Sequence, residues 1–286
     1  MVNALGGIGD GAPIGVPESA TRVDFRAAFL ARDLLLLTLD ALRYDVAADA
    51  LAAGHTPNLA ALLRRGWEAR HTPGTFTLPA HEAFFAGFFP TPPTPGPHPR
   101  PIALRFPGSR TIGRDTLLLD GPCLIGAYAR AGYHTICIGG TGFFDPGSPL
   151  GAILPARFHE AHWSQAMGVT SRRASATQMT LAAARLAALP PGKRALLFLN
   201  AAATHPPTRL FLRGARTESV ATQAAALADL DRHLPVLLDA LRARGGAVGI
   251  VCGDHGTCFG EDGYVGHRVA HPLVWTVPYA EVEVAP

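Results

Sequence analysis

Charge is scarce in this chain of 286 residues, and one kind is almost absent. Only 16% of residues are charged, and Lys193 is the single lysine, which leaves 24 of the 25 basic residues as arginine. Those arginines are scattered, whereas a nucleic-acid footprint is a clustered basic face. No nucleic-acid partner is predicted. The net charge of +3 includes no acidic or basic tail. Cysteine is sparse too. Cys123, Cys137, Cys252 and Cys258 form no CxxC pair, which argues against a zinc knuckle or a dithiol redox motif. No basic segment followed by an apolar core opens the chain, so no signal peptide is read. No apolar run approaches the ~20 residues needed to cross a bilayer. The sequence predicts a cytoplasmic location and no membrane partner.

Apolar residues make up 48% of the chain. That is too much for a disordered protein and ample for a large core. Residues 1–24 form a Gly/Pro-rich lead, GGIGDGAPIGVP. No strand precedes it, so it lacks the context of a phosphate-binding loop. One domain is predicted over residues 25–286.

Within that domain, Leu34–Leu39 is a short apolar run ending at Asp40, the pattern of a strand buried on both faces. Comparable runs are His134–Ile138, Ala195–Leu199, Val248–Cys252 and Leu273–Val277. Helices are predicted from about Thr56 or Asn58 to Gly66, over 80–88 behind Pro79, near 116–131, over 174–188 and over 217–243 with a kink at Pro235. Residues 90–101 read as a proline-rich loop, and 140–160 as an irregular excursion. Helices alternating with apolar strands predict a three-layer α/β/α sandwich with a mainly parallel central sheet. In such sheets the polar residues at strand carboxyl ends gather in one crevice. Asp40, the stretch Asn200 to His205, and Asp254-His255 are therefore the candidates.

Asp40 and the Asp254-His255 pair offer a mixed oxygen and nitrogen donor set, which suits Zn²⁺ or Mn²⁺ better than Ca²⁺. Thr77, just ahead of Pro79 and a helix, would present its hydroxyl at a helix N-terminus, where an anion is favoured. Taken together, Asp40, TPNLAALLRRGW, the run Thr77-Leu78-Pro79-Ala80-His81 with Gly87-Phe88-Phe89-Pro90, and Gly253-Asp254-His255-Gly256 with Gly260-Glu261-Asp262-Gly263 and Gly266-His267 resemble the alkaline phosphatase superfamily, nearest its sulfatase-like and phosphodiesterase branches. The resemblance runs from about residue 33 to 277, with its strong motifs at the two ends.

The resemblance implies the alkaline phosphatase-like fold and a catalytic metal held by Asp40, Thr77, Asp254 and His255. It gives Thr77 the role of nucleophile, through a phosphothreonine intermediate. It assigns His205 and His267 to catalysis, to a second metal or to the substrate oxyanion. His81 and Arg43 are further candidates for phosphate contact. Two departures matter. Threonine cannot become formylglycine, so sulfatase chemistry is disfavoured, and His81 stands where sulfatases carry arginine. Ala201 occupies the place of a second-metal aspartate, which predicts one tight metal site. The predicted function is hydrolysis or transfer of a small soluble phosphate ester. Sulfate-ester or phosphonate hydrolysis, a phosphomutase reaction, and a non-catalytic binding protein on the same fold are the alternatives.

Overall fold

The structure is a computed structural model that describes residues 22–87 and 123–286. The lead up to residue 21, the loop 90–101 and the first part of the helix read near 116–131 lie outside the described residues.

The apolar run after Arg32 becomes strand β1, Asp33–Leu39, buried along almost its whole length. The chain then adds β2 (Glu68–His71), β3 (His134–Ile138), β4 (Glu160–His162), β5 (Ala195–Ala201), β6 (Ala247–Gly253) and β9 (Thr276–Val284) to one seven-stranded sheet. Its order is β2-β9-β6-β1-β5-β3-β4. The five strands β6, β1, β5, β3 and β4 pair in parallel, while β9 runs against β6 and against β2. Two short strands, β7 (Cys258–Phe259) and β8 (Val265–Gly266), form a separate hairpin.

Side chains of a strand alternate between faces, so a strand that is apolar throughout needs cover on both sides. Leu35, Leu37 and Leu39 share one core with Leu197, Leu199, Ile136 and Ile138. Four helices cover it: α2 (Tyr44–Ala52), α3 (Pro57–Leu62), α6 (Ala174–Ala187) and α7 (Val220–Ala243). Leu34, Leu196, Phe198, Cys137 and Val248 face the opposite core. There they meet α1 (Phe25–Ala28), α4 (Thr77–Ala86) and α5 (Leu124–Arg130). The architecture is the three-layer α/β/α sandwich with a mainly parallel sheet.

Several local expectations need correction. The final strand is not 273–277. Pro272–Trp275 is instead the short helix α8, because Pro272 takes the first helical position and the His271 side chain accepts the Leu273 N–H. The strand starts at Thr276. Helix α4 begins at Thr77, three residues earlier than read, and stops at Gly87, whose φ of 73° suits glycine. Helix α7 runs on through Pro235, its face of six leucines buried against the sheet. Neither Thr56 nor Asn58 caps α3 with its side chain. Asp231 of α7 does so from across the core, accepting the N–H groups of Asn58 (3.1 Å) and Leu59 (2.7 Å).

The register fixes where the polar residues go. Leu39 pairs with Ala201 of β5 and with Gly253 of β6. The residues just beyond, Asp40, Ala202 and Asp254, therefore leave the sheet side by side at its carboxyl edge. Among the described residues no helix is long and apolar enough to cross a membrane.

Candidate metal centre

Asp40 and Asp254 are fully buried, and each has one carboxylate oxygen occupied by the protein. Asn200 Nδ2 donates to Asp40 Oδ2 at 2.9 Å. The N–H groups of Ala41 (3.0 Å) and His255 (2.9 Å) donate to Asp254 Oδ1. The other two oxygens, Asp40 Oδ1 and Asp254 Oδ2, have no hydrogen-bond partner. A buried carboxylate oxygen without a partner is costly, and two of them facing one point call for a cation.

His255 completes the set. Its Nδ1–H donates to the Gly256 carbonyl at 2.9 Å, which leaves Nε2 with a lone pair. Nε2 lies 3.7 Å from Asp40 Oδ1 and 3.5 Å from Asp254 Oδ2. Donors held ~2.1 Å from one tetrahedral cation stand about 3.4 Å apart. Thr77 Oγ is also 3.5 Å from Nε2, so a fourth oxygen lies beside the set. Asp40, Asp254 and His255 are the group of metal-competent side chains found among the described residues. Gly256 keeps the motif compact, since a Cβ there would lie 1.9 Å from the Leu273 carbonyl oxygen.

Without a cation the electrostatics are unfavourable. Burial, reinforced by its neighbour Asp254, pushes Asp40 up to about 6. Burial pushes Asp254 up to about 7, against the two backbone N–H groups it accepts. Burial holds His255 below its ordinary value and so keeps Nε2 unprotonated. Two carboxylates and a neutral imidazole match a divalent cation in charge.

His205 and His267 stand around this centre. His205 follows β5, donates Nδ1–H to the Pro206 carbonyl at 2.6 Å, and points Nε2 to within 4.0 Å of Asp40 Oδ1. His267 follows β8. Its ring centre is 4.6 Å from that of His255 and 5.2 Å from that of His205. Burial, then the neighbouring histidines and Arg268, lowers His267 to about 3. Ala201 ends β5 and is buried, so the sheet supplies no carboxylate beside them.

Two candidates for phosphate contact are placed elsewhere. Both ring nitrogens of His81 are engaged: Nδ1–H donates to the Thr77 carbonyl (2.7 Å) and Nε2 accepts from the Thr38 hydroxyl (3.0 Å). Four phenylalanine rings, at 84, 85, 144 and 198, surround it edge-on, and burial holds it near 3. It is a neutral strut behind Thr77. Arg43 is 3% exposed and is held by Asp45 and Glu261, so its charge is spent inside the protein.

The structure also adds residues that no motif marked. Asn200 Nδ2 donates to Thr38 Oγ (3.2 Å) as well as to Asp40. Asn200, Thr38 and His81 thereby join Asp40 to the turn that carries Thr77. Asn200 was legible only as a polar strand end. Thr38 sits within an apolar run and carried no signal.

The chain has an alkaline phosphatase-like fold. The integral membrane protein lipooligosaccharide phosphoethanolamine transferase A from Neisseria meningitidis matches with a TM-score of 0.59 and 16% identity, over 94% of this chain and 49% of that one. This chain thus spans about half the length of that protein. The C-terminal periplasmic domain of EcEptC from Escherichia coli, solved in complex with Zn, matches with a TM-score of 0.56 and 13% identity, over 88% and 73% of the two chains. A protein in the alkaline phosphatase superfamily from Vibrio parahaemolyticus matches with a TM-score of 0.54 and 17% identity, over 89% and 61%. No family model and no curated protein matches the chain in sequence.

Proposed function

We propose that the chain is a metal-dependent enzyme that transfers or hydrolyses a phosphate ester, with Thr77 as nucleophile and a small soluble ester as substrate. The observation that carries this reading is the gathering of two partnerless buried carboxylate oxygens and His255 Nε2 within reach of one cation, with the Thr77 hydroxyl 3.5 Å from that nitrogen.

Asp40, Asp254 and His255 would hold one divalent cation, zinc or manganese, with the Thr77 oxygen as a fourth donor. When bound, the cation supplies positive charge that acidifies the hydroxyl and offsets charge growing on the phosphoryl oxygens. The chain's residues do the rest. The start of α4 aims Thr77 Oγ, and His81 fixes that turn through the Thr77 carbonyl. Oγ forms its bond to phosphorus as the bond to the ester oxygen breaks, giving phosphothreonine. His205, with its Nδ1–H held by the Pro206 carbonyl and 19% side-chain exposure, presents an unprotonated Nε2 that would take the proton the Thr77 hydroxyl loses and pass it to the leaving oxygen. His267, depressed by burial, acts as a neutral hydrogen-bonding group. Water or an acceptor alcohol then takes the phosphoryl group from Thr77. The Zn-bound relative supports zinc as the first metal to test.

The test compares wild type with Thr77→Ala after zinc or manganese loading. Metal content is read by elemental mass spectrometry, and turnover on chromogenic phosphate mono- and diesters, a phosphonate and a sulfate. Thr77→Ala should keep its fold and metal and lose at least a hundredfold in turnover. Equal turnover in the two proteins would overturn the nucleophile. No turnover of any ester by the metal-loaded wild type would favour a binding protein.

A further inference from the structure

Arg268 directly follows His267, and its backbone has φ of 70°. That left-handed region is ordinarily left to glycine, because a Cβ there crowds the backbone. Three residues of the same loop, Gly260, Gly263 and Gly266, use positive φ as glycine does. At position 268 the chain keeps a long side chain where glycine would fit with less strain. Strain retained beside a reactive centre points to a use for the side chain.

Two contacts aim it. The Arg268 N–H donates to the Thr75 carbonyl at 2.9 Å. The guanidinium carbon lies 5.0 Å from the ring centre of Phe76, the residue immediately before Thr77. A cation over a ring spends none of its N–H groups on a hydrogen bond, and among the described residues the Arg268 guanidinium makes none. Among the described residues no carboxylate pairs with Arg268. Arg43, by contrast, is held by two.

We propose that Arg268 is the anion-recognition residue at the mouth of the metal centre, where its free N–H edge takes anionic oxygens of the substrate. A planar guanidinium matches the paired oxygens of a phosphate or a carboxylate. Those oxygens belong either to the phosphoryl group that is transferred or to a second anionic group of the same substrate. The inference rests on the reading of the metal centre given above and adds to it a substrate of fixed negative charge.

The experiment uses the zinc-loaded full chain as wild type, Arg268→Gly and Arg268→Lys. Glycine suits the backbone at this position, so Arg268→Gly should melt no lower than wild type. Binding of two probes, inorganic phosphate and 2-phosphoglycolate, is measured by calorimetric titration. Arg268→Gly should bind at least one of them tenfold or more weakly, with Arg268→Lys in between. Weakening that includes inorganic phosphate places Arg268 on the transferred group. Weakening for 2-phosphoglycolate alone places it on a second anion. Unchanged affinity for both probes overturns the proposal and leaves the metal centre standing. A wild type that binds neither probe also overturns the proposal, and if it takes up no zinc as well, the metal-centre reading fails with it.

Discussion

Replacing Asp254 with asparagine separates the two costs and benefits of the buried cradle. Asparagine has the shape of aspartate, and its side-chain oxygen can still accept the N–H groups of Ala41 and His255. The negative charge disappears, and with it one metal ligand. In the metal-free protein at pH 8, holding the Asp254 carboxyl at about 7 instead of 3.8 costs at most roughly 4 kcal/mol, at 1.36 kcal/mol per tenfold. Some of that cost is shared with Asp40, so Asp254→Asn should stabilise the chelated protein by roughly 2–3 kcal/mol, or about 5–10 °C in Tm. Zinc at a hundred times its Kd should add about 2.7 kcal/mol to the wild type, again roughly 5–10 °C. It should add nothing to the variant. The assay is differential scanning fluorimetry of both proteins at pH 8, with chelator and with zinc. A variant that melts lower than wild type in chelator refutes the argument that the ionised pair is a burden. A variant that still gains the zinc-induced rise refutes Asp254 as a ligand.

Two further outcomes follow from the same geometry. With Asp254 titrating near 7 and Asp40 near 6 in the free protein, zinc must displace protons as pH falls. Apparent affinity should drop about tenfold from pH 7 to 6 and up to a hundredfold from 6 to 5, read by competition with a chelating dye. A flat profile would remove the carboxylates from the site. Changing His81 to phenylalanine should leave the Thr38 hydroxyl buried without its acceptor and cost about 1–3 kcal/mol. Zinc content should hold while turnover falls about ten- to a hundredfold, and His81→Gln should recover part of it. Lost zinc would make His81 a ligand, and unchanged turnover would end its role as a strut.

Much of the site was legible because its residues sit at places with strong local rules. Asp40, Asp254 and His255 end apolar strands, and Thr77 stands two residues before a proline that opens a helix. The helix α2 was not legible, since YDVAADALA buries only Val46, Ala47 and Ala50 and shows little large apolar periodicity. Strand β9 was misplaced because the run PLVWTV is apolar in both a helix and a strand. What separates them is Pro272 at a helix start and a pairing with β6 that is distant in sequence. Asp231 carries no signal in the sequence and becomes a cap for α3 only where α7 crosses it. Arg43 and His81 read as phosphate contacts by position, but Glu261 and Thr38, both supplied from elsewhere in the chain, take up their polar atoms.

The sequence by itself determined the layers and the chemistry on offer. Apolar runs bounded by polar residues must bury both faces, and an aspartate, a threonine and an Asp-His pair can present hard donors wherever they meet. Only the tertiary structure decided that they meet. Parallel pairing of β1 with β6 brings Asp254 onto the Ala41 N–H from 213 positions away. The same packing fills one oxygen of each carboxylate and leaves the other bare. That division depends on hydrogen bonds between distant segments, which no local pattern encodes.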